Sequence, residues 1–530
     1  MTPGPAGILI GMLAMGLGWS TSAAALNPTP APEAQQTPSP EQPEASPGVP
    51  DAEDSAPDAP GPGEGSESGP SEALEEDEFS EDEFDFDMSM DDISEEPTLP
   101  VSLIGQLRSS WGLWAERLEG APWARGRQSL DLTFTAKWLN LQWKIVGHGE
   151  ADLAYLMAAD DQRPSTRDTY GWQVMPREAQ VSWSAGPFAV TVGRQIVAWG
   201  EADMFSPLDL ANPRDLREPG LADLDDIRMS ALATRFSFFP DGERGEILWV
   251  HEADFGLRSP PFGPYSPLES VLGDFLGGDQ LAQLLLGQVL EKDDIVYRHR
   301  QERFSLDGQQ VLVRWVHHGE GLDLGLMAGR VLDQQGVMIL PEDLSGDPLV
   351  LELDHRPYFF VGTTGALVSG SWLFKWELAS EMGRAWNVTG DATAGVPEMG
   401  VANASRLLVS AGATWTPLQE LSLGLEIMKP WWVVEPQGLL FDVDVAQLGL
   451  RVRWTGLHDR LVAQVVAFGT GARLQQGWLA RGDLTYEILD GLYASLGAVT
   501  YQPGDELGPF MGLTSHDQLL GQLRWNFSVF

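Results

Sequence analysis

The chain has 530 residues and no cysteine, so its acid–base and metal chemistry would have to come from eight histidines and the carboxylates. The histidines are His148, His251, His299, His317, His318, His355, His458 and His516. None belongs to a His-Glu-x-x-His pair, and no Gly-x-Ser-x-Gly elbow or lysine-bearing phosphate loop accompanies them. His148, Glu150 and Asp152 alternate along one face of an extended segment and form the one local group with the makings of a proton relay. A hydrolase would also need a serine pointing the same way from a neighbouring strand, and no motif supplies it. Without cysteine there is no disulfide framework and no thiolate metal site. The acidic runs contain no Asp-x-Asp-x-Asp-Gly calcium loop. The expectation is therefore no catalytic residue, no cofactor, no metal centre and no enzyme activity.

A different chemistry is written in Phe188–Arg228, FAVTVGRQIVAWGEADMFSPLDLANPRDLREPGLADLDDIR. Pro207, Pro213 and Pro219 restrict its backbone, and Asn212 before Pro213 favours a turn. Asp209, Asp215, Asp223, Asp225 and Asp226 face Arg214, Arg217 and Arg228, so local ion pairs can order the segment. Such a loop could line a constriction, with Arg194, Trp199, Glu201, Asp209, Asn212, Arg214, Asp215 and Arg217 touching a passing solute. It could equally be a structural loop tied down by those same pairs. Its motifs, Gly-Arg-Gln…Trp-Gly-Glu, then Asn-Pro-x-Asp, then Arg-x-Pro-Gly, resemble those of a poorly characterised family of proteobacterial outer-membrane β-barrels. That family is related to alginate-export and substrate-specific porin barrels. The resemblance implies a transmembrane barrel and no particular substrate.

The elements that would position this loop are strands. From Val101 the hydrophobic period is two: Leu130, Leu132, Phe134, Ala136 and Trp138 alternate with Ser129, Asp131, Thr133, Thr135 and Lys137. The same alternation holds over Leu141–Ile145, Trp372–Leu378, Leu421–Ile427 and Leu448–Trp454, with tryptophan on the apolar side. That side would suit an aromatic girdle at a lipid interface. The last residues, Leu519–Phe530, alternate again and end on an aromatic, resembling the closing strand of outer-membrane barrels. Here the apolar positions are offset by one from the terminal Phe530.

No later window of about 18 apolar residues offers a membrane helix, so a membrane protein of this sequence must be a closed barrel. Short turns are expected at Leu139-Asn140, Ala185–Pro187, Pro240–Gly245, His317–Gly321, Ser369-Gly370, Pro417–Glu420, Thr455–Asp459 and Asp490-Gly491. Longer links lie between them. The expected fold is all-β: a transmembrane antiparallel up-and-down barrel of about 18 strands (16–18), with long extracellular loops. A soluble secreted β protein is the competing class. Within the longest link, Asp254–Gly308, the apolar spacing of Ser270–Leu290 predicts an amphipathic helix broken at Gly277-Gly278.

Ahead of the barrel, residues 1–25 read as a signal peptide, with Ile8–Leu17 apolar and Ala23-Ala24-Ala25 as the cleavage site. Residues 26–100 form a Pro-rich, then acidic tail with 23 Asp or Glu and no Lys or Arg, which predicts disorder. The net charge of −44 argues against nucleic acid. Residues 101–530 would be the barrel. By parity, the wet side of the strands carries Lys137, Lys144, Arg235, Arg314, Lys375, Arg451, Arg453, Arg481 and Arg524. It also carries a nearly matched acidic set: Asp131, Glu150, Asp152, Glu178, Glu377, Glu381, Glu426, Asp483 and Glu487. Of these, Lys144, Arg235, Arg314, Lys375, Arg451, Arg453, Arg481 and Arg524 are pore candidates.

The expected function is a porin-like channel or transporter in the outer membrane of a Gram-negative bacterium. It would pass a solute or export substrate through a loop-constricted lumen, with the tail in the periplasm. The alternative is a closed barrel serving as an anchor or assembly component, its tail binding a periplasmic partner. Outer-membrane lipid and the barrel assembly machinery are the other expected partners. Solute, ion preference and oligomeric state are not written in the sequence.

Overall fold

The computed structural model describes residues 101–116, 123–158, 162–222, 224–266, 291–339, 346–389, 399–439, 445–505 and 508–529. The signal peptide, the acidic tail, the Ser270–Leu290 helix and Phe530 lie outside these residues. Eighteen strands form one antiparallel sheet. They are β1 (Val101–Trp114), β2 (Trp123–Trp138), β3 (Leu141–Asp152), β4 (Trp172–Ala185), β5 (Phe188–Gln195), β6 (Ala231–Phe238), β7 (Glu243–Val250), β8 (Gln310–Gly319) and β9 (Leu322–Leu332). The circuit continues through β10 (Pro357–Ser369), β11 (Trp372–Thr389), β12 (Met399–Leu418), β13 (Leu421–Trp432), β14 (Gln447–Gly456), β15 (Leu461–Thr470), β16 (Trp478–Leu489), β17 (Leu492–Gln502) and β18 (Gln518–Ser528).

β18 pairs back onto β1, with Leu107 opposite Trp525 and Trp111 opposite Gly521. The sheet is therefore a closed barrel with no free edge, the condition for spanning lipid with strands. All eight expected turns join neighbouring strands at one end of the barrel, within a few residues of the positions read from the sequence. The nine longer links leave from the other end.

The period-two pattern becomes two faces. Outward positions carry the apolar residues, such as Leu130, Ile145, Ile247, Leu326, Val361, Leu425 and Leu496, all exposed to the barrel's surroundings. Near the turn end the outward face is ringed by Trp138, Trp143, Trp183, Trp315, Trp372, Trp415, Trp454 and Trp525. Trp372 and Trp415 stack across β11 and β12 at 5.5 Å. This is the aromatic girdle of a transmembrane barrel, where an amphipathic ring meets the headgroup level.

The links hold more structure than the sequence pattern indicated. Leu153–Met157, where the strand was expected to continue, and Pro164–Tyr170, where a bare link was expected, are short helices. Asp152 caps the first through Ala154 N, and proline opens the second. Ile295–His299 pairs in parallel with Leu349–Asp354, which pairs with Val337–Ile339, giving a three-stranded sheet among the loops. Leu349, Leu351 and Leu353 are its buried side. Their alternation was present in the sequence but fell inside a segment assigned to a loop.

Candidate functional site

The segment between β5 and β6, residues 196–230, does not stand above the barrel. It turns inward and is bound to walls on both sides of the lumen. Two wall carboxylates hold its tip. Glu377, in the turn-side third of β11, accepts from Glu201 N (2.6 Å), Ala202 N (2.8 Å), Ser206 Oγ (2.8 Å) and Leu208 N (3.2 Å). Glu426, midway along β13, accepts from Asp203 N (2.8 Å), Met204 N (3.1 Å) and Phe205 N (2.5 Å). Both glutamates are almost fully buried and point into the barrel, since their strand neighbours Leu378, Leu425 and Ile427 point out. The loop backbone thus forms two small anion nests around wall side chains. Lys375 Nζ meets Asp203 at 2.7 Å and Arg314 meets Glu201 at 3.4 Å, adding ion pairs at the same tip. Gly449 on β14 lies under the tip, where an added Cβ would collide with Met204 and Phe205.

Behind the tip, Val197, Trp199, Leu208 and Ala211 bury against the inner faces of β6–β12, including Leu248, Leu312, Met327, Phe360 and Leu408. Trp199 is only 1% exposed. Asn212 is the internal staple: its Oδ1 accepts from Val197 N at 2.8 Å, and its Nδ2 donates to Met229 O at 2.7 Å and Gln195 O at 3.3 Å. Asp209 sits between Arg214 (2.9 Å) and Arg228 (3.0 Å).

The second half of the loop reaches the opposite wall. Arg217 binds Asp215 at 2.5 Å, Glu150 of β3 at 3.0 Å and Thr169 O at 2.8 Å. Glu218 pairs with Arg125 and, at 3.1 Å, with Arg127, both on β2. Burial pushes the Glu218 carboxyl up, but the Arg125, Arg127 and Arg217 guanidinium groups outweigh it, so the net shift is below the ordinary range. Tyr501 of β17 donates to Pro219 O at 2.7 Å, and Arg481 of β16 donates to Leu221 O at 3.2 Å. Asp226 meets Arg108 of β1 at 3.1 Å and Arg177 of β4 at 3.4 Å. The arginines likewise hold the Asp226 carboxyl low against its burial.

The family model for proteins of unknown function designated DUF1302 matches residues 116–240, the stretch that contains this loop and the strands beside it. In fold the chain is a closed antiparallel barrel of 18 strands. No curated protein matches it. Among solved structures it is similar to Pseudomonas aeruginosa OpdK with vanillate, at 9% identity over 81% of this chain and 98% of that one, with a TM-score of 0.45. Acinetobacter baumannii OccAB3 gives 10% identity over 81% and 99%, also at 0.45. Pseudomonas aeruginosa OccK11 gives 10% over 81% and 96%, at 0.42.

The remaining expected site residues fall into two groups. Lys144, Arg235, Arg314, Lys375, Arg451, Arg453, Arg481 and Arg524 all take inward parity. Lys144 binds Glu178 at 2.8 Å, Arg235 approaches Glu246 at 3.8 Å and Arg481 binds Asp483 at 2.7 Å. Arg451 donates to Gln464 at 3.4 Å, and Arg524 lies over the Tyr493 ring at 4.6 Å. Arg194 is separate. It shares the outward parity of Val190 and Val192 at the loop end of β5, bound to Glu252 (2.7 Å) and Asp254 (3.4 Å). His148 has both nitrogens engaged, Nδ1 with Asp131 at 2.7 Å and Nε2 with Glu150 at 3.4 Å.

Sequence reasoning missed the clasp. By parity alone Glu377 and Glu426 are wall charges, and Glu218 is only the variable position of Arg-x-Pro-Gly. The one available signal was in-strand glutamate on a wet face, which is shared by many residues that hold nothing.

Proposed function

We propose that this chain is an outer-membrane diffusion channel for small water-soluble solutes, narrowed by the 196–230 loop. The observation that carries the reading is the loop's attachment across the lumen, from Glu377 and Glu426 on one side to Arg125, Arg127 and Glu150 on the other. A barrel of this strand number otherwise encloses a wide interior. The loop packs closely on β6–β12 and is tied to β16, β17 and β1 through Leu221, Pro219 and Asp226, so a solute passes between these ties, along the polar inward side chains of β14–β18. Arg451, Arg453, Gln464, Arg481, Asp483, Gln522 and Arg524 project there from alternating positions. In this reading the motif residues Trp199, Asp209, Asn212, Arg214, Asp215 and Arg217 fix the constriction's shape, while the wall arginines meet the solute.

Single-channel conductance of the purified chain in a planar bilayer tests the proposal. Stable current steps, lost when the protein is boiled before insertion, are the expected result. Folded, heat-modifiable protein that inserts and gives no steps would overturn it and favour a closed barrel. A parallel chain lacking residues 26–100 shows whether the acidic tail alters the current.

A further inference from the structure

We infer that the Arg303–Gln309 segment is a membrane-interface foot, its Phe304 and Leu306 side chains seated in the acyl boundary of the outer leaflet. The argument starts from a deficit. On β8 the outward apolar positions are Val311, Val313 and Trp315. Below them, His317 pairs with Glu243 at 2.8 Å, and Trp315 Nε1 donates to Glu243 at 2.6 Å. Above them, Arg330 of β9 donates to Gln309 O at 2.6 Å and Asp307 O at 3.1 Å. Six residue steps from His317 to Val311 span roughly 20 Å along the strand, or roughly 15 Å across the membrane after a tilt of about 40°. A barrel's lipid-facing band needs about 25 Å. β5, β6 and β7 have eight residues each and reach only roughly 18 Å across at the same tilt, also short of the band.

The deficit is met from above. The segment entering β8 is held on the outward face, because Arg330 and Trp249 both point outward and both bind it; Trp249 Nε1 donates to Gln309 Oε1 at 2.9 Å. It presents Phe304, 66% exposed, and Leu306, 83% exposed. These are as bare as Leu326, at 64% in the middle of the apolar band. Arg303 lies over the Phe304 ring at 5.6 Å and pairs with Glu252 at 2.9 Å, the cation–ring–carboxylate arrangement suited to a headgroup layer. The segment is bound to the lipid-facing Trp249 and runs directly into the lipid-facing Val311, which is why lipid rather than a protein partner is its occupant. This inference rests on the barrel's spanning a membrane and is independent of whether it conducts.

The absence of cysteine makes the test direct. Nitroxide labels are placed singly at Phe304→Cys and Leu306→Cys, with Leu326→Cys as the mid-band reference and Glu320→Cys as the aqueous reference at a turn. The variants are reconstituted in vesicles of phosphatidylethanolamine and phosphatidylglycerol, after a check that heat-modifiability is kept. Collision with oxygen and with a water-soluble nickel chelate is then measured. The expected result is oxygen accessibility severalfold above that of the chelate at positions 304 and 306, intermediate in ratio between 326 and 320. Chelate accessibility at 304 and 306 equal to that at 320, with 326 still lipid-embedded, would overturn the foot and leave the barrel intact. An aqueous signature at 326 would overturn the membrane-spanning barrel, and the foot with it.

Discussion

Releasing the loop tip should open the channel. Seven backbone or hydroxyl donors converge on Glu377 and Glu426 at 2.5–3.2 Å. A hydrogen bond to an ionised partner contributes about 1.5–3 kcal/mol, and such contributions around one carboxylate are not additive. Removing one carboxylate therefore weakens the tip's attachment by about 3–6 kcal/mol, and also strands three or four buried donors. At about 1.4 kcal/mol per tenfold change, the ratio of released to attached tip rises by about two to four orders of magnitude. Lys375 and Arg314 still bind Asp203 and Glu201, so a single variant loosens the tip without freeing it. The double variant Glu377→Ala with Glu426→Ala should free it. Expected in planar bilayers is a larger mean conductance with increased open-channel current noise in the double variant. Smaller changes are expected for Glu377→Gln, which keeps one acceptor oxygen and the side chain's shape. Glu420→Ala, in the turn between β12 and β13, is the insertion control. A double variant that folds, inserts and matches the parent in conductance and noise would refute the clasp.

Two further outcomes follow from the same geometry. Gly449→Val places a side chain where Met204 and Phe205 rest, so the tip must shift while the strand persists; an altered conductance with unchanged heat-modifiability is expected, and an unchanged current would show that the tip does not rest there in solution. The loop-end sheet should loosen in acid. His355 stacks on Phe255, its Nδ1 faces Asp333 O at 2.7 Å and its Nε2 faces His299 Nδ1 at 2.8 Å. Burial, with Arg258 nearby, pushes His299 down to about 4 and His355 down to about 2 from an ordinary 6.5. Unfolded histidine takes up a proton that the folded pair refuses. The penalty is therefore absent above pH 6.5 and grows as pH falls from 6.5 towards 4. Amide exchange, corrected for its intrinsic pH dependence, should quicken over 349–355 in that window and stay level above it; a flat profile would exclude the linkage.

The strands were legible because their cause is local. Alternation such as Leu130–Trp138 decides which face meets lipid, and turn residues such as Asp490-Gly491 decide where the chain reverses, so strand number and sidedness could be read by counting. The closing strand was equally plain in Leu519–Ser528. Short alternating runs inside long links, such as Leu349–Leu353, were not, because length and loop context outweighed the pattern. The prolines and opposed charges of the 196–230 segment are by themselves enough to mark it as an ordered loop. Where it goes was decided only by the closed barrel. Glu201 and Glu377 are 176 residues apart in sequence and meet because β5 and β11 face each other across one lumen. A carboxylate that accepts loop amides has the same local sequence as one that faces water. Only closure of the sheet, which brings the loop backbone within 3 Å and lets it cover that face, makes Glu377 and Glu426 a clasp.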